Sequence, residues 1–194
     1  MAGIKTENFI QVECTSQEAL RNWLLEHHQQ EEAIWLVTYK KQEIEKYVSR
    51  EEVLDELIAF GWIDGIRRKL DETKTMQLIS PRRKQHWAKS YKERAARLIE
   101  VGSMHESGMQ SIQRSKADGL WNFMDDVDNL VVPDDLRKAL QTYDTAEAFF
   151  EQINDSSKRF VLRWVKLAKT DKTRQKRIQE LALLSSRGEK LKGS

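Results

Sequence analysis

Two prolines in 194 residues leave the chain little to interrupt a helix with, and both follow short apolar runs, Pro81 after LIS and Pro133 after LVV. A single cysteine, Cys14, excludes an intramolecular disulfide and is compatible with a reducing compartment; beside apolar residues it reads as a small buried hydrophobe. No basic residue stands next to it in sequence, so nothing recommends it as a nucleophile. His27, His28, His86 and His105 make no HExxH pattern and no Cys/His cluster, which argues against zinc. GxSxG, Walker A and GxGxxG patterns are missing, and Gly61 with Gly65 is too sparse for a phosphate-cradling loop. The expectation is a chain with no cofactor, no metal and no assembled catalytic constellation, hence not an enzyme. Long apolar runs are missing too. No window approaches the roughly 18 residues that span a bilayer, and MAGIKTENFIQVEC lacks the apolar stretch of a secretion signal, so a cytoplasmic protein without membrane insertion is expected.

What is present suits a folded core: 39% apolar residues, with six Trp and six Phe. Charged residues make up 33%, yet the net charge is only +2, so bulk charge names no partner. The charges are arranged in blocks. Residues 1–64 and 119–154 are acidic, while 65–100 and 155–194 are basic. The blocks either complement one another in the fold or present a basic face to anionic partners.

Asn8 to Glu13 alternates as a short strand. Thr15 with Glu18 makes a capping box for a helix that carries Leu20, Trp23, Leu24 and His27 on one face. Ala33 to Lys40, AIWLVTYK, is β-branched and aromatic, as a buried strand requires. Ser49 with Glu52 opens a second helix whose Val53, Leu54, Leu57 and Ile58 share a face, and Gly61 closes it in the left-handed conformation. Strands Trp62 to Leu70 and Thr75 to Ser80 follow, joined by a turn at Asp71 to Lys74, and Pro81 ends the ladder. Alternation puts Trp62 and Asp64 with Ile66 and Arg68 on one face, and Ile63, Gly65, Arg67 and Lys69 on the other.

Beyond Arg82 only helices are expected. Ser90/Glu93 and Ser103/Glu106 are two further capping boxes, the first with Tyr91, Ala95 and Leu98 inward and the second opening a helix to about Asp118. An acidic loop at Asp125 to Asn129 leads to Pro133, placed as the first residue of a helix PDDLRKALQ, and a short helix at Thr145 to Gln152. Helices over about 155–169 and 171–187 make a hairpin, with faces of Phe160, Trp164 and Leu167 and of Ile178, Leu181 and Ala182. The fold class is α+β: a small N-terminal sheet of about four strands with two helices over 1–82, an all-helical region over 83–190 packed on it, and a disordered tail at 191–194.

Taken together, FGWIDG at 60–65, the KLD and MQ hairpin, the Pro-Arg basic loop ending in Trp87, KERAARLI at 92–99, LVVPDDL at 130–136 and KRFVLRWVKLAKTDKTRQKRI at 158–178 resemble the YdeI/OmpD-associated, bacteriocin-protection family. The resemblance runs over nearly the whole chain. It implies a bacterial stress-tolerance accessory protein that acts by binding and has no established reaction. The sequence departs from the family pattern at Thr75, Leu78, Ala88 and Tyr91, where an aromatic, an Arg, a Ser and an Asn are commoner.

Candidate ligand-binding residues are Trp62, Asp64, Arg82, Arg83, Trp87 and Lys89, since a basic loop beside aromatic planes suits an anionic small ligand or a protein partner. Asp64 competes with a structural role, pairing with an Arg or accepting hydrogen bonds at the turn. The alternative partner is nucleic acid, bound weakly by the loop 82–89 and by Arg159, Arg163 and Lys166, a water-facing stripe at i, i+4, i+7. Arg174 lies near the phase of Ile178 and Leu181; it is therefore expected to be at least half buried and bonded to an acid from the 119–154 block.

Overall fold

The computed structural model describes residues 9–194, so the Asn8 start of the first expected strand and the opening residues read for a secretion signal lie outside it. Contacts divide the chain into two compact units, the first ending at Asn122 and the second spanning Phe123–Ser194. The division thus falls well beyond residue 82. Trp87, Ala95, Leu98 and Ile112, from the stretch assigned to a helical region, share one core with Leu36, Leu57 and Trp62 of the sheet unit.

In the first unit β1 (Gln11–Glu13), α1 (Gln17–His27) and β2 (Ile34–Tyr39) form a parallel crossover, followed by α2 (Arg50–Ala59), the hairpin β3 (Trp62–Lys69) and β4 (Lys74–Pro81), then α3 (Lys89–Glu100) and α4 (Glu106–Ala117). The four strands stand in the order β1-β2-β4-β3. Leu20 and Leu24 of α1 and Leu57 of α2 are fully enclosed against the sheet. Cys14 is buried as expected, and burial pushes its thiol pKa up to about 11. Glu56, an acid on α2, is also buried; it accepts from Arg21 at 2.9 Å and from Gln17 at 2.7 Å, so its charge enters the interior with partners.

Only one of the four capping boxes is complete, Ser49 with Glu52 on α2. At α1 the cap shifts to Ser16, which accepts from the Ala19 amide. At α3 the cap position is Ala88, with no side-chain bond, and Ser90 lies inside the helix. At α4 the His105 ring accepts from the Ser107 amide at 3.2 Å and stacks on Phe60 at 4.6 Å, displacing Ser103 from the role. The spacing S/T-x-x-E is permissive; tertiary packing decides which neighbour turns first.

Gly61 has φ +74° and releases the chain into β3, as its position implied. The last carbonyls of α2 are claimed from elsewhere: Ala59 by the His105 amide at 3.1 Å, Phe60 by the Ser107 hydroxyl at 3.0 Å, and Gly61 by the Arg82 amide at 2.9 Å. Gly108 makes this approach possible, because a Cβ there would stand 2.2 Å from the Ala59 carbonyl oxygen.

The second unit contains α5 (Asp125–Asp128), α6 (Asp134–Leu140), α7 (Ala146–Gln152), α8 (Asp155–Lys166) and α9 (Asp171–Ser186). A one-turn helix replaces the expected acidic loop, and Pro133 is the N-cap of α6 rather than its first helical residue. Ile178, Leu181 and Ala182 are buried as expected. On α8 the buried apolar residues are Val161, Leu162 and Val165, whereas Phe160 and Leu167 are 42% and 41% exposed. That face is rotated from the expected one: the aliphatic side chains join the core with Leu136 and Phe150, and of the three expected residues only Trp164 packs against it, partly buried. The tail is described to its end, with Leu191 packed on this core. Among the described residues no helix is long and apolar enough to cross a membrane.

Arg174 meets its expectation: its side chain is 29% exposed and grips Asp135 of α6 with Nε to Oδ2 at 2.6 Å and a second bond at 2.9 Å. Each partner shifts the other, the hydrogen bond raising the Arg174 pKa and holding the Asp135 carboxyl below its ordinary range.

Two substitutions check this packing. Gly108→Ala should destabilise the first unit by about 2 kcal/mol in chemical denaturation, although helix propensity alone favours Ala by about 1 kcal/mol. An unchanged or higher midpoint would mean that α4 is not seated on α2. Arg174→Met should cost the second unit about 1 kcal/mol, a modest figure because Asp135 is 48% exposed. Since the Asp135 pKa is depressed, this stabilisation is present above the ordinary Asp range and lost as pH falls through the depressed value, so wild type and variant should converge in acid.

Candidate functional site

β3 pairs with β4 at Trp62 to Pro81, Ile63 to Ser80 and Asp64 to Ile79, but resumes with Arg67 opposite Gln77. One extra residue in β3 makes a bulge at Gly65 and Ile66, where a Cβ on Gly65 would lie 3.1 Å from the Leu78 carbonyl. Arg67, not Ile66, therefore shares the face of Asp64. Arg68 passes to the opposite face, its guanidinium 5.3 Å from the Trp35 ring centroid, and Ile66 is 55% exposed.

On the core side Asp64 accepts from the Tyr91 hydroxyl through Oδ1 and from Gln77 Nε2 through Oδ2 at 3.3 Å. Tyr91, which stands on α3, thus engages Asp64 together with Gln77 of β4. Burial, with the Asp64 contact second, pushes the Tyr91 pKa up to about 12, so the hydroxyl keeps its proton and remains a donor. Arg82 is only 4% exposed. Its guanidinium lies over Trp87 at 4.1 Å and Tyr91 at 5.6 Å, and its Nη1 reaches the Gln85 and His86 carbonyls at 3.4 Å. Burial lowers its pKa to about 10, Tyr91 and Asp64 resisting, so it stays charged near neutrality. Among the described residues Arg82 Nε and Trp87 Nε1 are buried donors with no hydrogen-bond partner.

The six candidates do not form one surface. Trp62 and Trp87 are core residues, the first donating to the His28 carbonyl at 3.2 Å. Lys89 begins α3 with Glu93 at 3.9 Å. Arg82 and Arg83 do line a common feature, a cleft of about 550 Å³ between the end of α1, the Gly61 junction and α4. Lys84, Arg114, Glu31 and Asp118 line it too, and Trp62, Asp64, Trp87 and Lys89 do not. Sequence reasoning missed Arg114 and Glu31. Neither belongs to a motif, and only the approach of α4 and the α1 terminus to the loop after Pro81 brings them near.

The stripe on α8 is partly consumed by the acidic block. Lys166 pairs with Asp126 and lies 4.7 Å from the Phe123 ring, and Arg159 stands 3.7 Å from Asp155 and reaches the Asp128 carbonyl at 3.4 Å. Arg163 is exposed.

Asp64→Ala should strand the Tyr91 and Gln77 donors in a part-buried setting and cost about 1 to 3 kcal/mol, visible as a melting temperature lower by several degrees. An unchanged melting temperature would show that Asp64 contributes nothing to this fold.

Two family models match the chain. One, described as Domain of unknown function (DUF8412), covers residues 12–111. The other, described as Bacteriocin-protection, YdeI or OmpD-Associated, covers 129–188. The resemblance read from the sequence is thereby located in the second unit, while FGWIDG and the basic loop fall within the first model. No match is found among the curated proteins or the solved structures. The chain belongs to the family defined by that domain of unknown function, and its residues 129–188 match the model described as Bacteriocin-protection, YdeI or OmpD-Associated.

Proposed function

We propose that this protein is a non-enzymatic accessory protein of bacterial stress tolerance and bacteriocin protection, acting in the cytoplasm by binding a partner or a small ligand. The class follows from the segment at 129–188, whose family description carries a bacteriocin-protection role. Binding is supported chiefly by the cleft of the first unit, a concave feature lined by Arg82, Arg83 and Lys84 from one loop and by Arg114 from α4. The nucleic-acid reading has less to support it, since Lys166 and Arg159 of its stripe already engage carboxylates.

The test is protection of cells. A sensitive bacterial strain carrying the wild-type gene should survive a bacteriocin challenge better than one carrying an empty vector. An Arg83→Glu, Lys84→Glu variant should lose most of that advantage. Both residues are exposed, so the variant is expected to fold, which circular dichroism would verify. Equal protection by a folded variant would detach function from the cleft, and no protection by wild type would overturn the assignment.

A further inference from the structure

We infer that the cleft between the end of α1 and α4 is a binding site for a small ligand bearing two or more anionic oxygen groups, phosphate or carboxylate; this rests on the cleft being the functional surface. Its charge is lopsided. Arg82, Arg83, Lys84 and Arg114 face Glu31 and Asp118, and Arg83 already answers Glu31, with its Nη2 3.1 Å from the Glu31 carbonyl and 3.7 Å from the carboxylate. Among the described residues Lys84 and Arg114 have no carboxylate within ion-pair distance and no hydrogen-bond partner, so their charges remain available.

Arg82 supplies a second, independent observation. Among the described residues its buried guanidinium has no carboxylate in ion-pair range. One of its N–H donors, on Nε, has no partner among the described residues. A buried fixed charge is poorly screened by salt and adds to the field of the two exposed cations at the rim. Lys84 comes from the loop after Pro81 and Arg114 from α4, so the cleft offers cations from two different elements, which suits a ligand with two anionic groups. Asp118 at the α4 end disfavours a fully anionic ligand surface and suits a hydroxyl or amine between or beside those groups.

Titration calorimetry of the full chain in low-salt buffer, with pyrophosphate and with citrate as probes, distinguishes phosphate from carboxylate recognition. Saturable binding of one probe at a single site is expected. Lys84→Ala, Arg114→Ala should weaken it about tenfold or more, as loss of two charge-assisted contacts implies. Lys138→Ala, Lys176→Ala, which removes two exposed cations from the second unit, should leave it unchanged. No saturable binding of either probe, equal weakening in both variants, or tighter binding of a mixed-sequence oligonucleotide than of either probe would overturn the inference. If the probes fail while the Arg83→Glu, Lys84→Glu variant still loses protection in cells, the ligand class falls and the functional cleft stands.

Discussion

Three consecutive carbonyls at the end of α2 hold the first unit together. A helix end leaves acceptors without partners, and those of Ala59, Phe60 and Gly61 are satisfied by three different donors, from the His105 amide, the Ser107 hydroxyl and the Arg82 amide. Satisfying them draws α4 and the end of β4 onto the same point. The approach tolerates no side chain at Gly108, and Gly61 turns the chain sharply enough to place Trp62 at the start of β3. The cleft is the space left beside this junction, so its basic residues are held by backbone geometry and not by one another.

Polar groups in and at the edge of this core are treated in two ways. The buried Glu56 accepts from donors on α1, and the part-buried Asp64 takes one hydrogen bond from α3 and one from β4. Each ties two or more elements together, and removing either would leave donors stranded. Arg82 is different: its enclosure is aromatic, with two long bonds to carbonyls, and burial weakens its hold on its proton without neutralising it. A cation kept in this way costs stability that an ordinary structural residue would not demand, which is why the cleft beside it draws the functional reading.

In the second unit the alternating charge blocks are reconciled locally. Asp135 and Asp126 of the acidic block meet Arg174 and Lys166 of the basic one. Such part-exposed pairs contribute little each, and the apolar core around Leu136, Phe150 and Ile178 carries most of the unit.

By itself the sequence determined the α+β class, the order of the strands along the chain, the Ser49 cap, the Gly61 turn and the burial of Arg174, since each depends on interactions within a few residues or on helical phase. Tertiary structure alone decided the rest. The bulge at Gly65 reversed the faces of the second half of β3 because a neighbouring strand sets register. Three of four capping boxes dissolved because packing chose other first residues, and α8 turned its aliphatic face inward at the expense of Phe160. The candidate site divided for the same reason: aromatic rings written beside a basic loop went into the core, while Arg114, distant in sequence, came to the cleft through the seating of α4 on the end of α2.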